Sequence, residues 1–206
     1  PAAKSSGGRR PIPLRLTKQR YVALACDINP REIRLAMGYN DGSFALRRSL
    51  QTQVKRRNIL PILEEAIAAL LDSYHELFPN EEEPIPTLCA ITLSIYGVVA
   101  NNEIQFTPYY DLGRLDLATP LSERFGVPVL LMNEADLAAN GEWATRGPLR
   151  DLLSLKIREG IGLGIVLQGE REHGANGFAG EFGHSILVPQ GIRCPCGNRG
   201  CLEQYL

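Results

Sequence analysis

Two stretches in the middle of the chain decide the fold class: residues 58–78, NILPILEEAIAALLDSYHELF, and residues 88–100, LCAITLSIYGVVA. In the first, Ile59, Leu60, Leu63, Ala66, Ile67, Leu70, Leu71, Tyr74 and Phe78 recur at the spacing that lines one face of an α-helix. Pro61 is tolerated because its missing N–H, in the first turn, has no partner to lose. Pro79-Asn80 predicts the stop, and residues 81–83 a solvated acidic loop. The second stretch is an apolar run ending at Gly97, which predicts a central strand covered on both faces. A helix feeding such a strand is the signature of an α/β layer.

Upstream, YVALAC (21–26), IRLAM (33–37) and residues 44–46, with a turn at Asn40-Asp41-Gly42, read as consecutive hairpin strands. Downstream, Thr119-Pro120 predicts an N-cap followed by Pro at the first position of a short helix to Phe125. PVLLM (128–132) reads as a buried strand, Glu134 to about Arg146 as a helix, and DLLSLKI (151–157) with GIGLGIVLQ (160–168) as an adjacent strand pair. Hairpins followed by this alternation predict an α/β sandwich with a mixed sheet. Cys26 and Cys89 fall inside apolar strands and are expected in the core; His75 and His173 are expected at the surface.

The 206 residues suffice for one ordinary domain, and 44% apolar with 22% charged residues is a globular composition. Basic and acidic residues number 22 and 23, for a net charge of −1, which excludes a uniformly basic nucleic-acid coat. The balance hides an asymmetry. Residues 1–20 carry Lys4, Arg9, Arg10, Arg15, Lys18 and Arg20 and no acid, a +6 arm ahead of a body of net −7. The arm begins with a Ser-, Gly-, Pro- and Arg-rich linker composition. No apolar run is long enough to span a membrane, and the first residues have no signal-peptide pattern. Five cysteines, three of them crowded together, suit a reduced cytoplasmic metal site better than a disulfide framework.

The strongest chemical signal is Cys194-Pro-Cys196-Gly-Asn-Arg-Gly-Cys201, preceded by His184. Three thiolates and one imidazole complete the closed tetrahedral shell of structural zinc, with Gly197 and Gly200 allowing the tight turns. Glu181 and Glu203 flank this loop, and carboxylates accept several hydrogen bonds from sugar hydroxyls. Gly160, Gly162 and Gly164 alternate at a strand start, a pattern that either exposes N–H groups to phosphate or marks close packing. Asn133 and Glu134 sit where a buried strand meets a helix, the usual ligand position in open α/β folds, although Asn133 is also an ordinary helix cap.

Taken together these residues resemble the ROK family (repressors, open reading frames and kinases), NagC/Mlc-like regulators in particular. Cys194-x-Cys196-Gly197-x-x-Gly200-Cys201-x-Glu203 and Glu181-x-Gly183-His184 match its CxCGxxGCxE and ExGH signatures, supported by Gly97, Gly126-Val127-Pro128-Val129 before Asn133, and the Gly160–Gly164 run. The resemblance covers roughly residues 20–206. It implies an actin-like, ribonuclease-H-like sugar-kinase fold with a mixed sheet and a zinc loop held by His184, Cys194, Cys196 and Cys201. It further implies a sugar pocket containing Asn133, Glu134, Glu181, His184 and Glu203, with His184 using its two ring nitrogens separately.

Family kinases carry a DxGxT phosphate loop and a catalytic Asp after the Asn; here the corresponding residues are Asp27-Ile28-Asn29-Pro30 and Glu134. Both departures favour the sugar-sensing domain of a carbohydrate-metabolism repressor over an enzyme. The alternative is an ATP-dependent hexose kinase with Glu134 as its base. On the regulator reading, residues 1–20 are a linker from a winged helix-turn-helix outside this sequence. Residues 21–206 are then a sugar domain truncated at its C-terminal end. The implied partners are a sugar or sugar-phosphate effector, operator DNA and a second copy in a homodimer or higher oligomer.

Overall fold

A computed structural model describes residues 19–79, 85–147, 149–158 and 160–206. The acidic loop at 81–83 and all but the last two residues of the basic arm lie outside these. The chain opens with three antiparallel strands, β1 (Tyr21–Ile28), β2 (Glu32–Tyr39) and β3 (Phe44–Gln51). Helix α1 (Ile59–His75) follows, then β4 (Thr87–Ile95), a ribbon of β5 (Val98–Ala100) and β6 (Glu103–Phe106), and α2 (Ala118–Phe125). Next come β7 (Val129–Asn133), α3 (Glu134–Arg146), and a separate antiparallel sheet of β8 (Leu152–Ile157), β9 (Ile161–Leu167) and β10 (Glu170–Arg171).

The main sheet has the order β3-β2-β1-β4-β7, with β1, β4 and β7 parallel, and is therefore mixed. Its core forms on one face. Val22, Leu24, Cys26 and Ile28 of β1, Ile33, Leu35 and Met37 of β2, and Ile91, Leu93 and Ile95 of β4 are buried together with Ile59, Leu63, Ile67, Leu70 and Tyr74 of α1. Burying a side chain of this size stabilises by roughly 1.5–3 kcal/mol, so this apolar layer is the main force holding the strands to the helix.

Three sequence expectations are corrected here. Among the described residues β4 is fully covered on one face only: Ile91, Leu93 and Ile95 are buried, whereas Ala90, Thr92 and Ser94 on its other face are half-buried. Cys89, skipped where the pairing of β1 with β4 shifts from Val22–Leu88 to Ala23–Ala90, is exposed, whereas Cys26 is buried as expected. Thr119 does not cap α2; the helix starts two residues earlier, at Ala118, and Asp116 Oδ1 accepts the Thr119 N–H at 3.0 Å instead. Among the described residues, no helix is long and apolar enough to cross a membrane.

Candidate ligand cleft and metal centre

The register of the main sheet sets the site. Ile28 pairs with Ile95, and Ile95 with Asn133, so the three parallel strands end side by side. The residues that follow each end, Asn29-Pro30, Tyr96-Gly97 and Glu134, all line one cleft of about 930 Å³. Ligands in open α/β sheets bind outside the carboxyl ends of the strands for this topological reason. The opposing wall comes from the β8–β9 hairpin and from the loop carrying Glu181, His184 and Glu203.

Asn133 is the N-cap of α3. Its Oδ1 accepts the N–H groups of Ala135 at 2.7 Å and Asp136 at 3.2 Å, and its Nδ2 donates to the Gly97 carbonyl at 2.9 Å. The amide oxygen is therefore spent on the helix, and only an N–H remains to offer a ligand. Glu134 follows in the first turn, with Oε2 buried and without a hydrogen-bond partner. Glu203 is the most tightly held acid. Its Oε1 accepts the Tyr109 hydroxyl at 2.7 Å and lies 3.4 Å from His184 Nδ1.

Burial drives the Glu134 carboxyl up to about 7, opposed by Lys156 and reinforced by Asp27 and Asp136. Burial likewise raises Glu181 to about 7, with Glu134, Glu203 and Asp136 adding repulsion. A carboxyl that keeps its proton to near pH 7 when folded, but releases it near 4.5 when unfolded, makes the folded state bind more protons between those values. Stability attributable to these groups is then present below about pH 4.5 and lost as pH rises to 7. Glu134→Gln is accordingly expected to raise the melting temperature at pH 8 by about 3–8 °C, a gain on the order of 1–3 kcal/mol, and to change little at pH 4.5. Thermal denaturation at both pH values checks this; an equal shift at each would rule out a titration effect.

The four candidate metal ligands converge. One ligand atom each from His184, Cys194, Cys196 and Cys201 lies within 4.8 Å of all the others. The Cys196 and Cys201 sulfurs are 3.7 Å apart, and Cys194 Sγ is 3.6 Å from His184 Nδ1. A tetrahedron with zinc–sulfur bonds of about 2.3 Å and zinc–nitrogen bonds of about 2.0–2.1 Å has edges of about 3.8 Å and 3.6 Å, so the donor set could hold such an ion. The loop reaches this shape through Gly197 and Gly200, at φ +100° and +81°. A Cβ on Gly200 would also lie 1.7 Å from the Val188 carbonyl oxygen. His184 joins the two sites: Nδ1 faces the thiols, and Nε2 lies 3.6 Å from Glu181 Oε2 in the cleft.

Of the alternating glycines, Gly160 and Gly162 line the cleft and Gly164 does not. Gly162 and Gly164 lie within the β8–β9 ladder, opposite Lys156 and Ser154. A Cβ on Gly164 would stand 2.3 Å from the Ala135 carbonyl oxygen, and one on Gly162 would stand 2.8 Å from Ala135 Cβ. Close packing of β9 on α3 is therefore the role this geometry gives that pair. The buried Asp136 of α3, ion-paired with Arg171 of β10, fastens the same contact.

The turn between β1 and β2 is closed upon itself. Asn29 N–H donates to the Glu32 carbonyl at 3.0 Å, Pro30 has no N–H, and the N–H groups of Arg31 and Glu32 both donate to Asn29 Oδ1, at 2.9 and 2.8 Å. No backbone donor of this turn is left for a phosphate.

Sequence reasoning missed Tyr96, Tyr109, Lys156 and Arg158, all of which line the cleft. Tyr96 adjoins Gly97, and its hydroxyl donates to Asp27 Oδ2 at 3.2 Å. The alternation of β8 was the available signal for Lys156.

A mixed sheet whose parallel strands end at such a cleft, beside a Cys3His cluster, is the actin-like, ribonuclease-H-like architecture shared with ROK sugar kinases and regulators of known structure. The sequence profile of the ROK family matches residues 24–206, and the chain belongs to that family. It is 28% identical over 205 residues to the xylose repressor of Bacillus subtilis (strain 168), covering 98% of this chain and 52% of that protein. It is also 36% identical over 122 residues to the glucokinase of Streptomyces coelicolor, covering 57% of this chain and 38% of the enzyme. Among solved structures, the ROK glucokinase of Streptomyces griseus in complex with glucose and AMPPNP superposes with a TM-score of 0.74 at 26% identity, over 89% of this chain and 56% of that one. A ROK transcriptional regulator, a homologue of the E. coli MLC protein, shares the fold with a TM-score of 0.75 at 24% identity, over 90% of this chain and 46% of that one. The chain thus spans about half the length of the curated repressors it matches, and both repressors and kinases are among its relatives.

Proposed function

We propose that this chain is the sugar-sensing part of a ROK-family transcriptional repressor of carbohydrate metabolism. The observation that carries the reading is the closed turn at Asn29–Glu32. Phosphoryl transfer needs an ordered phosphate cradle, and here every backbone donor of the corresponding turn is consumed internally or absent. Sugar binding needs only hydroxyl partners. Glu134, Glu181, His184 and Glu203 retain that capacity, and Asn133 contributes an N–H. The likeness to xylose repressors along nearly the whole chain supports the same choice.

In this reading zinc, held by His184, Cys194, Cys196 and Cys201, fixes the loop that carries Glu203 and orients His184. With four protein ligands it leaves no open position for chemistry. Residues 1–20 join the sensor to a DNA-reading winged helix-turn-helix, and the protein acts in the cytoplasm as a homodimer on two related half-sites. The effector binds one dimer state better than the other and so shifts the population that fits the operator. Fluorescence anisotropy of the full-length protein on DNA from its own promoter tests this. A sugar or sugar phosphate is expected to change operator affinity by tenfold or more, and a panel of such compounds leaving it unchanged would sink the sensor reading.

A further inference from the structure

We propose that Tyr109 is a positioning residue: anchored to the main sheet, it reaches across the cleft and fixes the orientation in which Glu203 meets a sugar hydroxyl. This rests on the sugar-sensing reading above. The anchor is the adjacent Tyr110. Its buried side chain sits at the carboxyl ends of β1 and β4, where the hydroxyl donates to the Ile28 carbonyl at 2.7 Å and accepts the Tyr96 N–H at 2.9 Å. Thr107 closes the same loop, donating its hydroxyl to the Tyr110 carbonyl and accepting the Leu112 N–H at 3.0 Å. Residues 107–112 are thereby fastened to the wall that carries Asn133 and Glu134. From this segment Tyr109 lines the cleft and donates to Glu203 Oε1, on the opposing wall, at 2.7 Å.

Glu203 needs this donor. Its side chain is 3% exposed, and among the described residues no Lys or Arg pairs with it. A buried carboxylate is costly unless hydrogen bonds compensate it. The other groups near Oε1 are Cys194 Sγ at 3.2 Å, Gln204 Nε2 at 3.3 Å and His184 Nδ1 at 3.4 Å. Cys194 and His184 are candidate metal ligands, and a ligating thiolate or imidazole nitrogen has no proton to give. That leaves Gln204, which belongs to the same loop as Glu203, and Tyr109, which alone ties the carboxylate to the main sheet. Oε2 accepts no hydrogen bond from a described residue and is the oxygen left for a ligand. Gly160 fits this division. A Cβ there would stand 3.2 Å from Glu203 Oε2 and 3.4 Å from the Tyr109 hydroxyl, so the first of the alternating glycines leaves room for the pair.

Isothermal titration of the full-length protein with glucose, mannose and xylose selects the sugar that binds best. The monodeoxy analogues of that sugar are then titrated against the unaltered protein, Glu203→Gln and Tyr109→Phe. The hydroxyl read by Glu203 is the one whose removal costs the unaltered protein affinity and costs Glu203→Gln little. Tyr109→Phe keeps the ring and removes only the donor. It is expected to bind the parent sugar about tenfold more weakly, the worth of one charge-assisted hydrogen bond. The analogue lacking the hydroxyl read by Glu203 is expected to bind Tyr109→Phe and the unaltered protein equally, because the two changes act on one contact. A merely structural role weakens every analogue by the same factor. That result, or no weakening at all, overturns the inference and leaves the sensor reading standing. No binding of any sugar by the unaltered protein overturns both.

Discussion

Replacing Cys196 with serine is expected to strip the metal from the loop and lower the melting temperature by about 10 °C or more. The four donor atoms lie within 4.8 Å of one another, and two of their separations, 3.6 and 3.7 Å, already match the edges of a zinc tetrahedron. A serine hydroxyl is a far harder and less acidic donor than a thiol and does not replace a thiolate on zinc. What remains to hold residues 184–205 is two isolated bridges, Ile186 with Cys201 and Arg193 with Arg199, the backbone hydrogen bonds of the turns, and two side-chain bonds, Tyr109 to Glu203 and the Ile192 N–H to the Tyr205 hydroxyl. Losing a structural site of this kind is worth several kcal/mol, limited by how far the loop opens locally. At about 2–4 °C per kcal/mol for a domain of this size, the shift is large enough to measure easily. Freshly purified, reduced protein is expected to hold about one zinc per chain by mass spectrometry, and the variant almost none. Cys89→Ser, an exposed cysteine on β4, is the control and is expected to change neither quantity. Absence of zinc from the unaltered protein would refute the assignment.

That centre was legible because its ligands lie close in sequence, so the chain itself limits where they can go. Helix α1 was equally legible: a single helical period runs through residues 59–75 and one face meets the sheet. The cleft was only half legible. Asn133, Glu134 and the Glu181–His184 segment sit at element ends, where local pattern points to them. Tyr109 is invisible to such reasoning, because it meets Glu203 across 94 residues and only tertiary packing makes that contact. On β8 the half-buried side carries Leu152, Ser154 and Lys156, while Leu153, Leu155 and Ile157 are exposed. On β4 hydrophobicity predicted two covering layers, and the described residues supply one. Periodicity reports which residues share a face. It does not report what covers that face.

The full-length protein is expected to bind a sugar or its phosphate and yet release no ADP in response to it. Glu134 could pass for a catalytic base on proton affinity alone, because burial lifts its carboxyl to about 7, where a general base works well. Affinity for a proton is not what the site lacks. Transfer from ATP needs the phosphates fixed in line with the attacking hydroxyl, and the turn that should do so has exhausted its donors on Asn29 Oδ1 and the Glu32 carbonyl. The base is also one methylene longer than the family's Asp. A displacement of about an ångström costs on the order of 100-fold in rate when uncorrected. The two losses act on different parts of the reaction, nucleotide anchoring and nucleophile activation, so correcting one does not restore the other. Neither touches the proposed hydroxyl-binding set, so binding is expected to persist where catalysis fails. A coupled assay for ADP, run beside calorimetry on the same preparation, separates the cases. Sugar-stimulated ADP release well above background, abolished by Glu134→Gln, would make the protein a hexose kinase and show that the closed turn opens when nucleotide arrives.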